Sequence, residues 1–188
     1  MTNSDFCNYV PFTHPRAAEL LAGHFRAWRE AKSGHPAAQE NRALVFFCIG
    51  TVNVPGDSLG PLVGEALTRR AALLQAKSVF VTGSVREPIH ALNLAERYTF
   101  TRQQHPDALI VAVDAGLGLH GQVGSFAMWE GSLSPGIALD KDLPPVGDFG
   151  IAGIVGTCGS ESFQALQNAS PRMVKKMADR IAHAICRI

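Results

Sequence analysis

Residues 44–49, Leu-Val-Phe-Phe-Cys-Ile, form an unbroken apolar run. A strand with one solvated face alternates polar and apolar positions. A strand with no polar position is buried on both faces, as in the parallel sheets of α/β proteins. The run gives way at once to a loop carrying Gly50, Pro55 and Gly56, and Pro61 marks the first turn of a helix, where proline gives up no N–H that the helix needs. Asp57 is thereby placed between the end of a buried strand and the start of a helix. Sites in open α/β sheets collect at the carboxyl ends of strands, and a helix N-terminus favours an ionised carboxylate. Asp57 is the first candidate functional group.

Apolar segments at 79–82 and 109–113 predict a second and a third strand, with helices over 61–75 and 88–104 between them. This βαβαβ pattern implies an α/β fold with a largely parallel sheet covered on both faces. The third strand is expected to end at Asp114, before a glycine-rich loop. Beyond it, 123–129 predicts a strand with no helix before it, 131–148 a long Gly/Pro loop, and 149–155 a fifth strand. Helices follow over 162–168 and from Pro171, the latter capped by Ser170 and striped with Val174, Met177, Ile181 and Ile185. Upstream, a helix over 15–32 presents Ala17, Leu21, Phe25 and Trp28 on one face. Residues 33–41 form a linker, and 1–14 are irregular, either frayed or docked through Phe6, Tyr9 and Phe12. The expected organisation is one α/β domain over 1–188, with 1–43 as an N-terminal helical extension.

The totals exclude several classes. Seventeen basic residues face sixteen acidic ones with no dense basic run, which argues against a nucleic-acid surface. No apolar run reaches the length of a membrane span, and the opening residues lack the plan of a signal peptide. Cys7, Cys48, Cys158 and Cys186 are dispersed with no C-x-x-C pair, so neither a zinc site nor a disulfide framework is expected, and a reducing, cytoplasmic setting is.

If the first and third strands are neighbours, Asp57 and Asp114 converge at one mouth. A close carboxylate pair can share a proton, hold water or bind a hard cation. The plainer alternative makes Asp57 a turn or cap residue and Asp114 an acceptor for the backbone of the next loop. His90, with Asn93 one turn on, is a candidate for completing a metal site or positioning a substrate, and so is His120. Each is equally readable as a surface or capping side chain. Gly116-Leu-Gly118-Leu-His-Gly121 matches G-x-G-x-x-G but lacks the helix that a dinucleotide fingerprint opens. Its glycines are better explained by a tight turn beside Asp114. Cys158 is a weaker candidate nucleophile, and no G-x-S-x-G elbow is present.

Four blocks in order carry a resemblance: Cys48-Ile-Gly-Thr51 with Gly56-Asp-Ser-Leu-Gly-Pro61; Glu87-Pro-Ile-His-Ala-Leu-Asn-Leu94; Val111-Ala-Val-Asp-Ala115; and Leu143-Pro-Pro-Val-Gly-Asp148 with Ile151-Ala-Gly-Ile154. Together, over roughly 44–156, they resemble the YyaC-like sporulation proteins, which are related to the spore germination protease and share the fold of the hydrogenase-maturation endopeptidases. The resemblance implies a three-layer α/β/α sandwich, phosphorylase/hydrolase-like, on a mixed, mostly parallel five-stranded sheet. One late strand is antiparallel, and the first and third strands are neighbours. It also sets Asp57 and Asp114 at the germination protease's two essential aspartates. In the hydrogenase-maturation enzymes the corresponding acidic positions hold a metal of the substrate together with a histidine. The motif match carries over the aspartates and not that histidine, nor the zymogen segments of the germination protease.

The expected activity is therefore peptide-bond hydrolysis by Asp57 and Asp114 in a sporulation context, with His90, Asn93, Gly116 and His120 shaping a pocket for an extended protein or peptide substrate bordered by the 131–148 loop. The alternative is a non-catalytic peptide- or metal-binding protein using the same cleft. A divalent metal on Asp57 and Asp114 is compatible with the sequence and not required by it. The expected location is the cytosol of the forespore or mother cell, with no nucleic-acid or membrane partner and with a homo-oligomer left open. A nucleoside-phosphorylase-like activity is disfavoured, because no Arg/Lys cluster marks the strand ends.

Overall fold

The computed structural model describes residues 8–31, 42–136 and 143–188. The expected linker at 33–41 and the docking of Phe6 fall outside them, as does the middle of the 131–148 loop. Six strands form one sheet: β1 (Asn8–Pro11), β2 (Leu44–Cys48), β3 (Val79–Thr82), β4 (Leu109–Gly118), β5 (Ser125–Glu130) and β6 (Phe149–Thr157), in the order β1-β5-β6-β4-β2-β3. β3, β2, β4 and β6 run parallel, whereas β5 is antiparallel to β6 and to β1. The mixed, mostly parallel sandwich is thus as expected, with six strands instead of five. The additional strand is β1, four residues from the segment read as irregular, which become a strand only through pairing with β5.

One face of the sheet carries α1 (Ala17–Ala31), α2 (Leu59–Thr68), α3 (Ala71–Gln75), α5 (Ser162–Gln167) and α6 (Pro171–Cys186). The α1 stripe packs as predicted: Ala17, Leu21 and Phe25 are fully buried, and Phe25 meets Phe46 edge-on at 5.0 Å between ring centroids. Trp28 stacks on Phe149 at 4.5 Å. Residues 8–31 are in this way built into the sheet and its core. The α6 stripe of Val174, Met177, Ile181 and Ile185 is fully buried, and the Ser170 side chain caps the helix by accepting from the Met173 N–H. The opposite face is covered by α4 (Leu94–Gln104) and by the ends of the 131–148 loop, where Leu133 and Val146 pair and join Ile110 and Ala112 in a second cluster.

Three boundaries differ from expectation. The helix predicted over 61–75 starts at Leu59 and breaks at Arg69 and Arg70 into α2 and α3. The helix predicted from Pro88 begins only at Leu94, because Ile89 is held as an isolated bridge beside Ile49 and 88–93 form a turn. β4 does not stop at Val113. Its register with β6 continues from Asp114 opposite Ala152 to Gly118 opposite Thr157, with an irregularity at Gly116/Leu117.

Helix α2 sits unusually close to the sheet. A Cβ on Gly60 would overlap the carbonyl oxygen of Ile49, and one on Gly64 would overlap that of Gly83. Main chain rests on main chain at both points. Among the described residues no helix is long and apolar enough to cross a membrane.

Candidate functional site

From β2 the chain crosses over α2 to β3 on one side of it. From β3 it returns over α4, on the opposite face, to β4 on β2's other side. Strand order reverses between β2 and β4, and the crevice at the carboxyl ends of such a pair is where α/β sheets place their sites. Asp57 and Asp114 lie on either side of it.

Asp57 occupies a single 3-10 turn, Gly56–Ser58, immediately before α2. The Thr51 N–H donates to both Asp57 Oδ2, at 2.9 Å, and its carbonyl oxygen, at 3.1 Å, so the residue closes the loop it belongs to. Gly50 lets the chain turn there with φ of +135°, and a Cβ at that position would overlap the Asp57 carbonyl oxygen. Ser58 Oγ donates to Pro55 O at 2.6 Å. The carboxylate is half-buried, beside the start of a helix that favours its charge.

Asp114 is in a different environment. Its side chain lies within β4, on the same face as Ile110 and Ala112, and the residue is only 7% exposed. Oδ1 accepts from the Ala115 N–H at 2.8 Å. Burial and, next, the charge of Asp57 push its pKa well above the usual carboxylate range, with the Ala115 N–H opposing them. The pair is therefore close enough to couple and split by environment. One carboxyl is buried with its pKa raised, and the other is half-buried and accepts the Thr51 N–H. Two coupled acids in unequal surroundings can share a proton or hold a water between them.

The other predicted residues fare differently. His90 stands at the same end of the sheet, one residue beyond the Ile49–Ile89 bridge. Asn93 is committed to its own turn: Oδ1 accepts from the His90 N–H at 2.8 Å and Nδ2 donates to Pro88 O at 3.0 Å. Its amide fixes His90 in place and is not turned to a ligand. Gly116 faces β6, where a Cβ would sit 3.3 Å from Ala152 and Ile154 side-chain atoms, so it lets β4 run against β6 where a tight turn was expected. His120 is exposed and lies past the end of β4. Four strand residues, roughly 13 Å of chain, separate Asp114 from Gly118, so His120 is carried away from the pair.

Among the described residues no three His, Cys, Asp or Glu side chains are grouped to hold a metal. Two carboxylates suit an ion that keeps most of its water shell, and they lack the third protein donor that zinc takes. Cys158 is exposed on the loop after β6, and burial pushes the Cys48 thiol up to about 12, so Cys48 is inert.

Two features were not visible in the sequence. The 131–148 loop leaves β5 and enters β6 at the amino ends of the parallel strands, so its described parts cannot border the carboxylates. The same end holds a polar network. Arg102 donates to Tyr98 OH and to Asp148 Oδ2, each at 3.0 Å through Nη2, and to Ala108 O at 3.1 Å. Asp148 Oδ2 also accepts from the Ile110 N–H at 2.8 Å. Asp148, part of the fourth sequence block, is thus a clasp between β4 and β6. A cavity of about 540 Å³ lies elsewhere again, along edge strand β3 between Leu74, Phe80, Phe100 and His105. It brings no paired carboxylates together, and the strand-end geometry is the stronger guide to chemistry.

Fold and site define an α/β sandwich protein with a coupled carboxylate pair at the switch point of its sheet. Residues 25–184 match the family model described as "Protein of unknown function (DUF1256)", and the chain belongs to that family. It is 36% identical over 177 residues to the uncharacterized protein YyaC of Bacillus subtilis (strain 168), across 94% of this chain and 81% of YyaC, which bears out the resemblance carried by the four blocks. Among solved structures it is similar to the [NiFe] hydrogenase maturation protease HycI from Thermococcus kodakarensis KOD1, with a TM-score of 0.46 and 20% identity over 78% of this chain and 94% of that one.

Proposed function

We propose that this protein is a peptidase-like hydrolase in which Asp57 and Asp114 activate water against a peptide bond, acting in a sporulation context in the cytosol of the forespore or mother cell. The observation that carries the reading is the coupled, unequally buried pair at the switch point. Asp57, ionised, takes a proton from a water placed between the carboxyls as that water attacks the amide carbon. Asp114, protonated, donates a hydrogen bond to the carbonyl oxygen and then gives its proton to the departing amine nitrogen. The products are a carboxylic acid and an amine, and a final proton exchange between the carboxyls restores the pair. The test is incubation with a library of unstructured peptides, read by mass spectrometry for new termini. Asp57→Asn and Asp114→Asn should each abolish cleavage and leave the circular dichroism spectrum unchanged. Undiminished cleavage by both variants rules out this mechanism.

A second reading, peptide or metal binding without turnover, draws on one observation. His120 and the Asn93 amide, the polar groups expected to complete the site, are respectively carried away from it and spent on a turn. Peptide retention with no new termini, with or without added divalent ion, would favour it.

A further inference from the structure

β3 ends the sheet on one side, pairing with β2 and with no other strand. In a parallel ladder each residue turns its N–H and its C=O to the same neighbour, and successive residues alternate. The Leu44 N–H donates to Ser78 O at 2.9 Å, so Ser78, Phe80 and Thr82 are the residues of this segment that bond to β2. Val79 and Val81 turn theirs the other way. Val79 is fully buried, whereas Val81 is half-exposed, and among the described residues no group takes up its N–H or its C=O.

This open edge forms the floor of the cavity of about 540 Å³. Helices α2 and α3 build one wall, with Leu67, Ala71 and Leu74, and α4 builds the other, with Phe100 and Gln104. Val81 packs into the core on the α2 side and Phe80 into that on the α4 side, where His105 lies 4.3 Å from it between ring centroids. Phe100, on the outer wall, is 53% exposed. The floor decides what can fill the groove. A lipid tail or a small apolar ligand would cover the Val81 amide and carbonyl without bonding to them, which costs free energy. A second copy of this chain would bring a β3 flanked by its own α3 and α4, so that wall meets wall before the two edges reach the ~4.8 Å of a ladder. A single extended segment satisfies the open backbone groups and sends its side chains alternately to the two walls. β3 offers it four residues, roughly 13 Å.

The groove also carries a sign. Residues 64–105, which supply every lining residue except Val45, hold six Lys and Arg against three Glu, in a chain with seventeen basic and sixteen acidic residues. Arg102 is spent on Asp148, and Glu87 is paired with Arg97 at 3.7 Å. Arg86 lines the carboxyl end of the groove, exposed and without an ion pair among the described residues.

We propose that this groove receives one extended segment of a partner polypeptide as a seventh strand beside β3, with apolar side chains alternating into its walls and an acidic residue at the end beside Arg86. The inference does not depend on the peptidase reading.

The experiment selects binders to the full chain from a phage-displayed library of random decapeptides and resynthesises the enriched sequences with a fluorescent label. They should share alternating apolar residues and an acidic residue at one end. Methylating the backbone nitrogens of alternate peptide residues should weaken binding at least about tenfold in one of the two alternating sets and spare it in the other, because a strand donates from every second residue. Val81→Pro should weaken binding to the same extent. It deletes the outward N–H while Phe80 and Thr82 keep their bonds to β2, a placement that edge strands tolerate. Phe100→Ser, at an exposed wall position, should lower affinity without moving the thermal midpoint, and serves as the second variant should Val81→Pro fail to fold. Arg86→Glu should reverse the preference from an acidic to a basic end. No enrichment, binding indifferent to methylation in both sets, binding indifferent to the groove variants, or an end preference unmoved by Arg86→Glu would each overturn the inference. A wild type that sediments as a dimer and is dissociated by Val81→Pro would overturn it in favour of a second copy.

Discussion

The coupled pair makes a prediction about stability that needs no substrate. Asp114 is buried, and its pKa is raised well above the usual range by burial and by Asp57. In the unfolded chain its pKa is that of an ordinary aspartate, about 3.9. Above that pH the unfolded chain releases the proton while the folded protein keeps it, so folding takes up one proton. Stability must therefore fall as pH rises, by about 1.4 kcal/mol per pH unit, until the folded-state pKa is passed. Below the unfolded pKa both states are protonated and the effect vanishes. For a chain of this size the slope corresponds to roughly 3–6 °C of thermal midpoint per pH unit. Asp114→Asn removes the titration and leaves a similar shape. Urea unfolding of wild type and Asp114→Asn at half-unit steps from pH 3.5 upward should give a difference that is constant at the acid end. It should then move in favour of the variant with this slope. Asp57→Asn should show the same slope but reach its end at a lower pH, because burial remains and the charge does not. A wild-type-minus-Asp114→Asn difference that stays flat between pH 4 and pH 7 would refute the assignment of a raised pKa. An end-point indifferent to Asp57→Asn would refute the coupling.

Gly50→Ala should cost about 1–3 kcal/mol in urea unfolding, because it forces an L side chain into a left-handed conformation and against the Asp57 carbonyl oxygen. It should also shift the pH dependence just described, since the turn that carries Asp57 must move. Arg102→Met removes the bonds to Tyr98, Ala108 and Asp148 and should lower stability by about 1–3 kcal/mol, while leaving the Asp114 pH slope untouched because the clasp lies at the opposite end of the sheet.

How much of this was legible beforehand depended on which force decided each element. β2 was readable because burial on both faces leaves an uninterrupted apolar record, and β3 because its Val-Phe-Val run stands out from the polar residues around it. The stripes of α1 and α6 were readable for the corresponding helical reason. β4 was cut short in the sequence reading because Gly116 and Gly118 are turn formers by local propensity. Only the neighbouring β6 makes them strand residues, and a partner from some forty residues later leaves no local trace. β1 was missed on similar grounds: Asn8–Pro11 carries a proline and has no stripe, and pairing alone defines it. The convergence of Asp57 and Asp114 was inferable because Asp114 directly follows one apolar run and Asp57 lies in the loop that follows another. The roles of Asn93 and Asp148 were not, because a side-chain amide closing a turn and a carboxylate clasping two strands look the same in sequence as polar residues aimed at a ligand.

The contact of Gly60 and Gly64 with the backbone of Ile49 and Gly83 bears on how such a protein can change over time. Interfaces lined by side chains settle by rotamer adjustment, so their alignment drifts as the lining is replaced. A helix seated peptide-to-peptide has no such slack, and the acid at its leading end inherits that stiffness. Side chains around the pair can then be exchanged one at a time while the geometry of the two carboxyls stays where it is. Relatives with unlike targets should accordingly diverge at the rim and superimpose at the seam.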